Sequence, residues 1–398
     1  MSIDSSRREP GRVGRRLLLL VLKVALLAAA AWVVSRQVSW NDRLTLEDGT
    51  VLEGRLLDAR SKSDSVVAFR TASGETLRLS ADEIAEGGRV FGLRTTFRNL
   101  HPGWFLLGMT LIFGMYVLGV TRWWILLEAQ GITASWSRAF RLTFMGFFWN
   151  NFMPGMTGGD VAKAVLIAKE SPGKRSRAVS TVIVDRVIGL AVLAGLSAGA
   201  ILINFKTFEK QGYVIFGVLL ILAIMACCIL SRRARRFLHI DRILKSLPGS
   251  RILMQLDEAF RLYRSKPAAV SWAVVLSFVA HLCNIGSVWV YGEDLGIPAS
   301  LLTYFATVPI ILIAASVPLF PGGWGVREVA FITAFQAVGV PAAYRSELVL
   351  LSVLLGISVM IWSLLGGVFL FVGSSAEPAG AKTSAVTKGP LDRKELES

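Results

Sequence analysis

Six apolar runs of about 18–25 residues recur along the chain: Leu17–Val34, Gly103–Leu127, Ser180–Ile203, Tyr213–Leu230, Ala268–Tyr291 and Leu348–Val372. At 1.5 Å rise per residue, a helix over any of them can cross a hydrocarbon core of about 30 Å. Two further apolar stretches are interrupted. Phe140–Met153 is too short to cross and runs into Pro154-Gly155. Leu301–Phe320 contains Pro309 and Pro318, breaks at Pro321-Gly322-Gly323-Trp324-Gly325, and resumes at Val329–Val338. Between the first two runs the pattern changes to period two, in Leu44–Leu46, Val51–Leu56, Ser65–Phe69 and Thr76–Leu79. Asp48-Gly49 and Ser73-Gly74 are turn signals. The pattern predicts an all-α polytopic membrane protein with six full spans, two broken segments, and a small all-β, barrel-like insert. Four regions follow: 1–37, a basic N-terminus and first transmembrane helix; 38–98, the β insert; 99–373, the main membrane domain; and 374–398, a tail too poor in apolar residues to fold.

Charge sets the orientation. The chain carries 43 Lys+Arg against 28 Asp+Glu, a net charge of +15, but the excess is confined to alternate short loops. Arg7, Arg8, Arg12, Arg15 and Arg16 precede the first run; Lys163, Lys169, Lys174, Arg175 and Arg177 form a second group; a third lies between Arg232 and Lys266. This is the positive-inside distribution, and it argues against nucleic acid as a partner. It places the N-terminus in the cytoplasm and 38–98 outside the cytoplasmic membrane. If Phe140–Met153 crossed, the 163–177 loop would lie outside. That segment is therefore expected to dip in from the cytoplasm and return. The second broken segment then enters from the opposite face, and its return puts the C-terminus inside. The insert nearly balances its charges, with nine Lys/Arg and ten Asp/Glu, and shows no catalytic set. Its Leu-x-Asp-Gly-x-x-x-x-Gly pattern is similar to SH3-like or Sm-like barrels. A packing role or the docking of an envelope partner suits it. Cys227, Cys228 and Cys283 lie within apolar runs, and the histidines are scattered, so neither a metal nor a cofactor is expected.

The two breaks resemble each other. Pro154-Gly155-x-x-Gly158-Gly-Asp160-Val-Ala aligns with Pro321-Gly322-Gly323-Trp-Gly325-Val-Arg327-Glu328-Val-Ala. Interrupted segments in corresponding positions of an inverted repeat point to a transporter's binding site. A broken helix frees backbone groups that lipid cannot satisfy. The helices restarting near Asp160 and Glu328 would offer N–H groups to an anion, unless those acids serve as caps. Arg186 and Arg327 suit a phosphate through bidentate bonding, or else pair with Asp160 or Glu328. Asp185 and Arg186 are adjacent in one helix, so each needs a partner elsewhere. Lys163 could neutralise Asp160 or meet a headgroup. Asn150 and Asn151 could satisfy freed backbone groups. No nucleotide-binding loop or HExxH is present.

Asn150-Asn151-Phe-Met-Pro154-Gly155-x-x-Gly158-Gly-Asp160, then Asp185-Arg186, then Pro321-Gly322-Gly323-x-Gly325-x-Arg327-Glu328 resemble the transmembrane flippase domain of lysylphosphatidylglycerol synthases, and the wider family of flippase-like membrane proteins. The similarity spans roughly 1–37 and 99–373. It implies two opposed re-entrant elements and movement of a lipid between leaflets, with a membrane lipid of anionic or polyprenyl-phosphate type as substrate. Lys163 stands where the family commonly has an arginine. The aminoacyl-transferring members continue into a soluble domain, whereas this chain stops about 25 residues after its last span, so synthase activity is not expected. The insert departs from the family pattern. Two other readings stay open: an intramembrane transferase with Asp160, Asp185 or Glu328 as base, and a non-transporting scaffold built around the insert. A homo-oligomer fits any of the three.

Overall fold

The computed structural model describes residues 40–57, 66–71, 73–152, 159–230, 261–315 and 325–373, together with Met254, Asp257 and Ala259. The expected first span Leu17–Val34, the motif residues Pro154, Gly155, Gly158, Pro321, Gly322 and Gly323, and the tail lie outside the described residues.

The insert folds as a small curled antiparallel sheet. Its strands are β1 (Asp42–Leu46), β2 (Val51–Leu56), β3 (Val66–Thr71), β4 (Thr76–Ser80) and β5 (Ile84–Val90), in the order β4-β3-β2-β1-β5. The two turn signals hold, with Gly49 and Gly74 at positive φ. The Thr50 amide donates to Asp48, which keeps that exposed carboxyl below its ordinary pKa. Alternation sends Leu44, Leu56, Val67 and Phe69 inward, where Ile84 and Phe91 join them. Asp42 is buried beside this core. Its carboxylate accepts from the Leu56 amide, the Gly92 amide and the Thr95 hydroxyl, each at 2.7 Å. Hydrogen bonds to a charged group contribute about 1.5–3 kcal/mol each, so Asp42 ties β1, β2 and the short helix α1 (Leu93–Arg98) into one unit.

The rest of the described chain is helical: α2 (Pro102–Ala129), α3 (Trp136–Phe152), α4 (Gly159–Glu170), α5 (Arg175–Ile203), α6 (Glu209–Leu230), α7 (Pro267–Asp294), α8 (Leu301–Ala315), α9 (Val326–Gln336) and α10 (Arg345–Gly373). Among the described residues, four helices are long and apolar enough to cross a membrane: α2, α5, α7, and the segment Ala342–Leu370 that contains most of α10. They correspond to four of the six apolar runs. The helix over Arg175–Ile203 starts a turn and a half before the apolar run, so Asp185 sits about three turns inside it.

Helices α2 and α7 form an antiparallel pair. At one end the His101 amide donates to Asp294, and His101 Nδ1 lies 2.6 Å from Asp294 Oδ1. At the other end the Tyr263 hydroxyl donates to the Leu126 carbonyl and Gln130 to that of Ala259. The two broken segments each give two helices that run back along one another. In the first, Arg138 at the start of α3 pairs with Glu170 at the end of α4. In the second, Tyr304 early in α8 meets Phe335 late in α9 edge-on, with centroids 5.2 Å apart. The first pair starts where α2 ends: Trp136 donates to Thr121, and Trp124 to Ala134. The second starts where α7 ends, with Tyr304 packed onto Gly292. The two helix pairs therefore begin at opposite ends of the α2–α7 couple. The sheet sits at the same end as the second pair, where β5 packs on the turn Ala342–Tyr344 and α1 on α10.

Close packing depends on small residues, as expected where lipid is as apolar as the helix surfaces. The Gly146 and Gly159 backbones touch across α3 and α4, so a Cβ on Gly159 would run into the Gly146 carbonyl. Gly366 of α10 lets in the Phe144 backbone in the same way.

Candidate functional site

Sequence and packing together place charge at the start of α4. Asn150, on the last turn of α3, accepts the Gly159 amide at 2.5 Å. It thus satisfies a backbone group exposed by the break. Asn151 instead turns back to the Phe147 carbonyl of its own helix. Because Asn150 takes up the Gly159 amide, Asp160 is free to reach across to α5, where it pairs with Arg186 at 2.5 Å. Asp185, one residue earlier, points to another face, as the helical geometry requires. It is buried, accepts Arg122 Nε at 2.7 Å and lies 4.0 Å from Lys163 Nζ. Lys163 is buried too, with its ammonium 3.7 Å from the centre of the Trp123 ring. Trp123 is held by donating to the Thr181 hydroxyl. Arg122 is held a second time by Ser277 of α7.

These groups surround a cavity of about 90 Å³, between α2, α3, α4 and α5. It has room for a few waters or one phosphate-sized group. Arg122, Lys163 and Arg186 face Asp160 and Asp185 there, so one positive charge is left over. Gly119, Gly146 and Gly159 keep the wall low, and Phe147 closes one side. Thr143 also lines the cavity. Its hydroxyl is buried and has no hydrogen-bond partner among the described residues. Buried hydroxyls are nearly always satisfied by protein or water, so this one marks a place for a ligand or a water molecule.

The second helix pair carries a separate cluster. Gly325 has φ +86, a conformation open to glycine at little cost. Glu328 accepts the Gly325 amide at 2.5 Å and the Ser352 hydroxyl at 2.9 Å, and lies 3.3 Å from Arg327 Nη2. Arg327 Nε donates to Ser352 at 2.9 Å. All three side chains are buried. Arg327 and Glu328 do not line the cavity at the first pair, whose Phe147 wall is backed by Tyr116, itself packed on Phe144.

Of the residues singled out in the sequence, Asn150, Asp160, Lys163, Asp185 and Arg186 are thus assembled in one place, and Gly325, Arg327 and Glu328 in another. Arg122, Thr143 and Gly146 escaped the sequence reading. Arg122 had a signal, since a cation within an apolar run is costly and usually functional. His281 Nε2 donates to the Gly189 carbonyl, 2.9 Å away, and links α7 to α5.

The family described as the lysylphosphatidylglycerol synthase TM region matches residues 89–367, well over half of the sequence. The chain belongs to this family. The match takes in both helix pairs and begins within β5, so it excludes most of the sheet and the N-terminal 1–37. Among relatives in the family's range, a UPF0104 membrane protein of Methanocaldococcus jannaschii is 24% identical over 293 residues, covering 69% of this chain and 86% of the relative. One of Pyrococcus horikoshii is 26% identical over 283 residues, covering 64% and 84%. A third, from Methanothermobacter thermautotrophicus, is 22% identical, covering 62% and 79%. This is an integral, multi-pass membrane protein.

Proposed function

We propose that the protein translocates an anionic, phosphate-bearing lipid between the leaflets of the cytoplasmic membrane. The observation that carries this reading is the surplus cation in a small polar cavity between α2 and α5, both long enough to span a bilayer, and the shorter α3 and α4. Arg122 and Lys163 share the single carboxylate of Asp185, and a phosphate monoanion would balance the cation left over. Arg186, Lys163 and Arg122 would hold the phosphate in turn, while the Thr143 hydroxyl donates to it. The lipid chains would stay in the bilayer. In this reading the chain has six spans, and the two helix pairs enter as re-entrant elements from opposite faces. The basic 163–177 loop lies in the cytoplasm with both termini, and the sheet lies outside. The motif glycines Gly155, Gly158, Gly322 and Gly323, beside Pro154 and Pro321, have no Cβ and would let the backbone approach the headgroup. The act is translocation, with no bond made or broken.

The test uses the full chain in phosphatidylcholine vesicles with a trace of headgroup-labelled phosphatidylglycerol. Reductant added outside bleaches only the outer leaflet. The expected result is complete bleaching with the native protein, and a residual protected half with Arg186→Ala. Protection equal to that of protein-free vesicles in the native sample would defeat the proposal.

A further inference from the structure

A second, larger space adjoins the cavity. It is an open groove of about 750 Å³ between α4 and α5. Its floor is apolar, made of Ala164, Val165 and Ala168 on α4 and Val179, Val182 and Ile183 on α5. These positions recur at three- and four-residue intervals, so each helix gives one stripe. The groove shares Asp160 and Arg186, and no other residue, with the polar cavity. Its far end is marked by Lys169 and Arg175, both exposed. Neither has a carboxylate partner among the described residues. From Asp160 to Lys169 and from Arg175 to Arg186 the rise is about 14 and 17 Å. That is about half of a 30 Å hydrocarbon core, the depth of one leaflet.

We infer that this groove is a docking site for one acyl chain of an anionic phospholipid, with the lipid's phosphate held by Lys169 and Arg175. The inference rests on the proposed translocation only for its purpose; the site itself follows from shape and charge. The apolar floor takes the chain, and each basic residue near a membrane surface attracts an anionic headgroup. The Asp160–Arg186 pair closes the inner end. A lipid lying here has its headgroup one leaflet away from the cavity, and that ion pair is the boundary it would have to open. Lipid therefore enters sideways from the bilayer, between α4 and α5, and not from the water.

The test is photolabelling of the full chain in phosphatidylcholine vesicles containing a minority of phosphatidylglycerol. The probe is phosphatidylglycerol with a diazirine in its acyl chain, set against the same diazirine in phosphatidylcholine. Adducts are expected on 160–169 and 175–186 with the anionic probe. Lys169→Ala with Arg175→Ala should lower them about tenfold or more, to the level of the zwitterionic probe. Ala164→Trp and Ala168→Trp, which fill the groove and leave its charges, should lower labelling by both probes. Both variants are checked for an unchanged melting temperature; if one fails to fold, the other decides. Equal labelling by the two probes, adducts spread evenly over the outer faces of α6 and α7, or cross-links between two copies through the groove in place of lipid adducts would each overturn the inference. Labelling here without headgroup transfer would refute the translocation reading and keep the docking site. Transfer without labelling here would do the reverse.

Discussion

In the first helix pair the amide that opens the returning helix is met by Asn150 from the incoming helix, whereas in the second it is met by Glu328, three residues on in the same helix. The consequence is chemical. With Asn150 on that amide, Asp160 can pair with Arg186 beside a polar cavity where three cations meet two carboxylates. With Glu328 as the cap, the acid is committed to Gly325, Ser352 and Arg327, and the cluster is neutral and closed. Two elements of similar sequence thus differ in what their acids are left to do. On the proposed function, the first is left to receive an anion, while the second holds the protein together.

Stability measurements are the sharpest way to break this contrast. Glu328→Ala would leave Arg327 buried without its carboxylate, which typically costs about 3–5 kcal/mol. The melting temperature in detergent should fall steeply. Asp160→Ala opens a half-exposed pair and should cost about 1 kcal/mol or less. Equal losses would erase the distinction. Gly159→Val comes next, because its side chain would meet the Gly146 backbone. Overpacking of this kind costs about 1–3 kcal/mol, and the melting temperature should fall by an intermediate amount. The smallest effect on stability is expected from Thr143→Val. It removes a buried hydroxyl that bonds nothing in the described structure, so stability should change by less than about 1 kcal/mol, or rise slightly. Headgroup transfer should nevertheless slow. A normal transfer rate in this variant would mean that the hydroxyl contributes nothing to the cavity.

Much of this was legible in the sequence, and the misses have a common cause. The four spans that described helices match were readable from length and apolarity alone, because the bilayer imposes a single scale on every crossing. Asp160, Lys163, Asp185 and Arg186 were readable because charge in such surroundings needs a reason. Their pairing was legible only in part: Arg186 with Asp160 was one of the readings left open, and Asp185 with Arg122 was not foreseen. Asp160 meets Arg186 and Asp185 meets Arg122 across helix interfaces, 26 and 63 positions apart in sequence, and no spacing rule connects them. Glu328 shows the opposite case: its capping bond spans three residues and is local. Whether the acids were caps stayed undecided until the structure gave a different answer for each. In the sheet, four strands followed from alternation, but β5 did not, since Ala85-Glu86-Gly87-Gly88 dilutes the pattern. Asp42 looked like an ordinary strand-end acid. Its role comes from partners 14, 50 and 53 positions away.

The central claim is that surplus positive charge in the first cavity draws a phosphate headgroup through the membrane. A charge series tests it most directly, with transfer of labelled phosphatidylglycerol and of an uncharged glycolipid measured in the same vesicles. Lys163→Met removes the surplus and should slow phosphatidylglycerol transfer by about tenfold or more, as loss of one buried charge contact worth about 1.4 kcal/mol implies. Asp160→Asn raises the surplus and should preserve or speed it. Transfer of the uncharged lipid should follow neither change. Rates for phosphatidylglycerol that are the same in both variants as in the native protein would contradict the account.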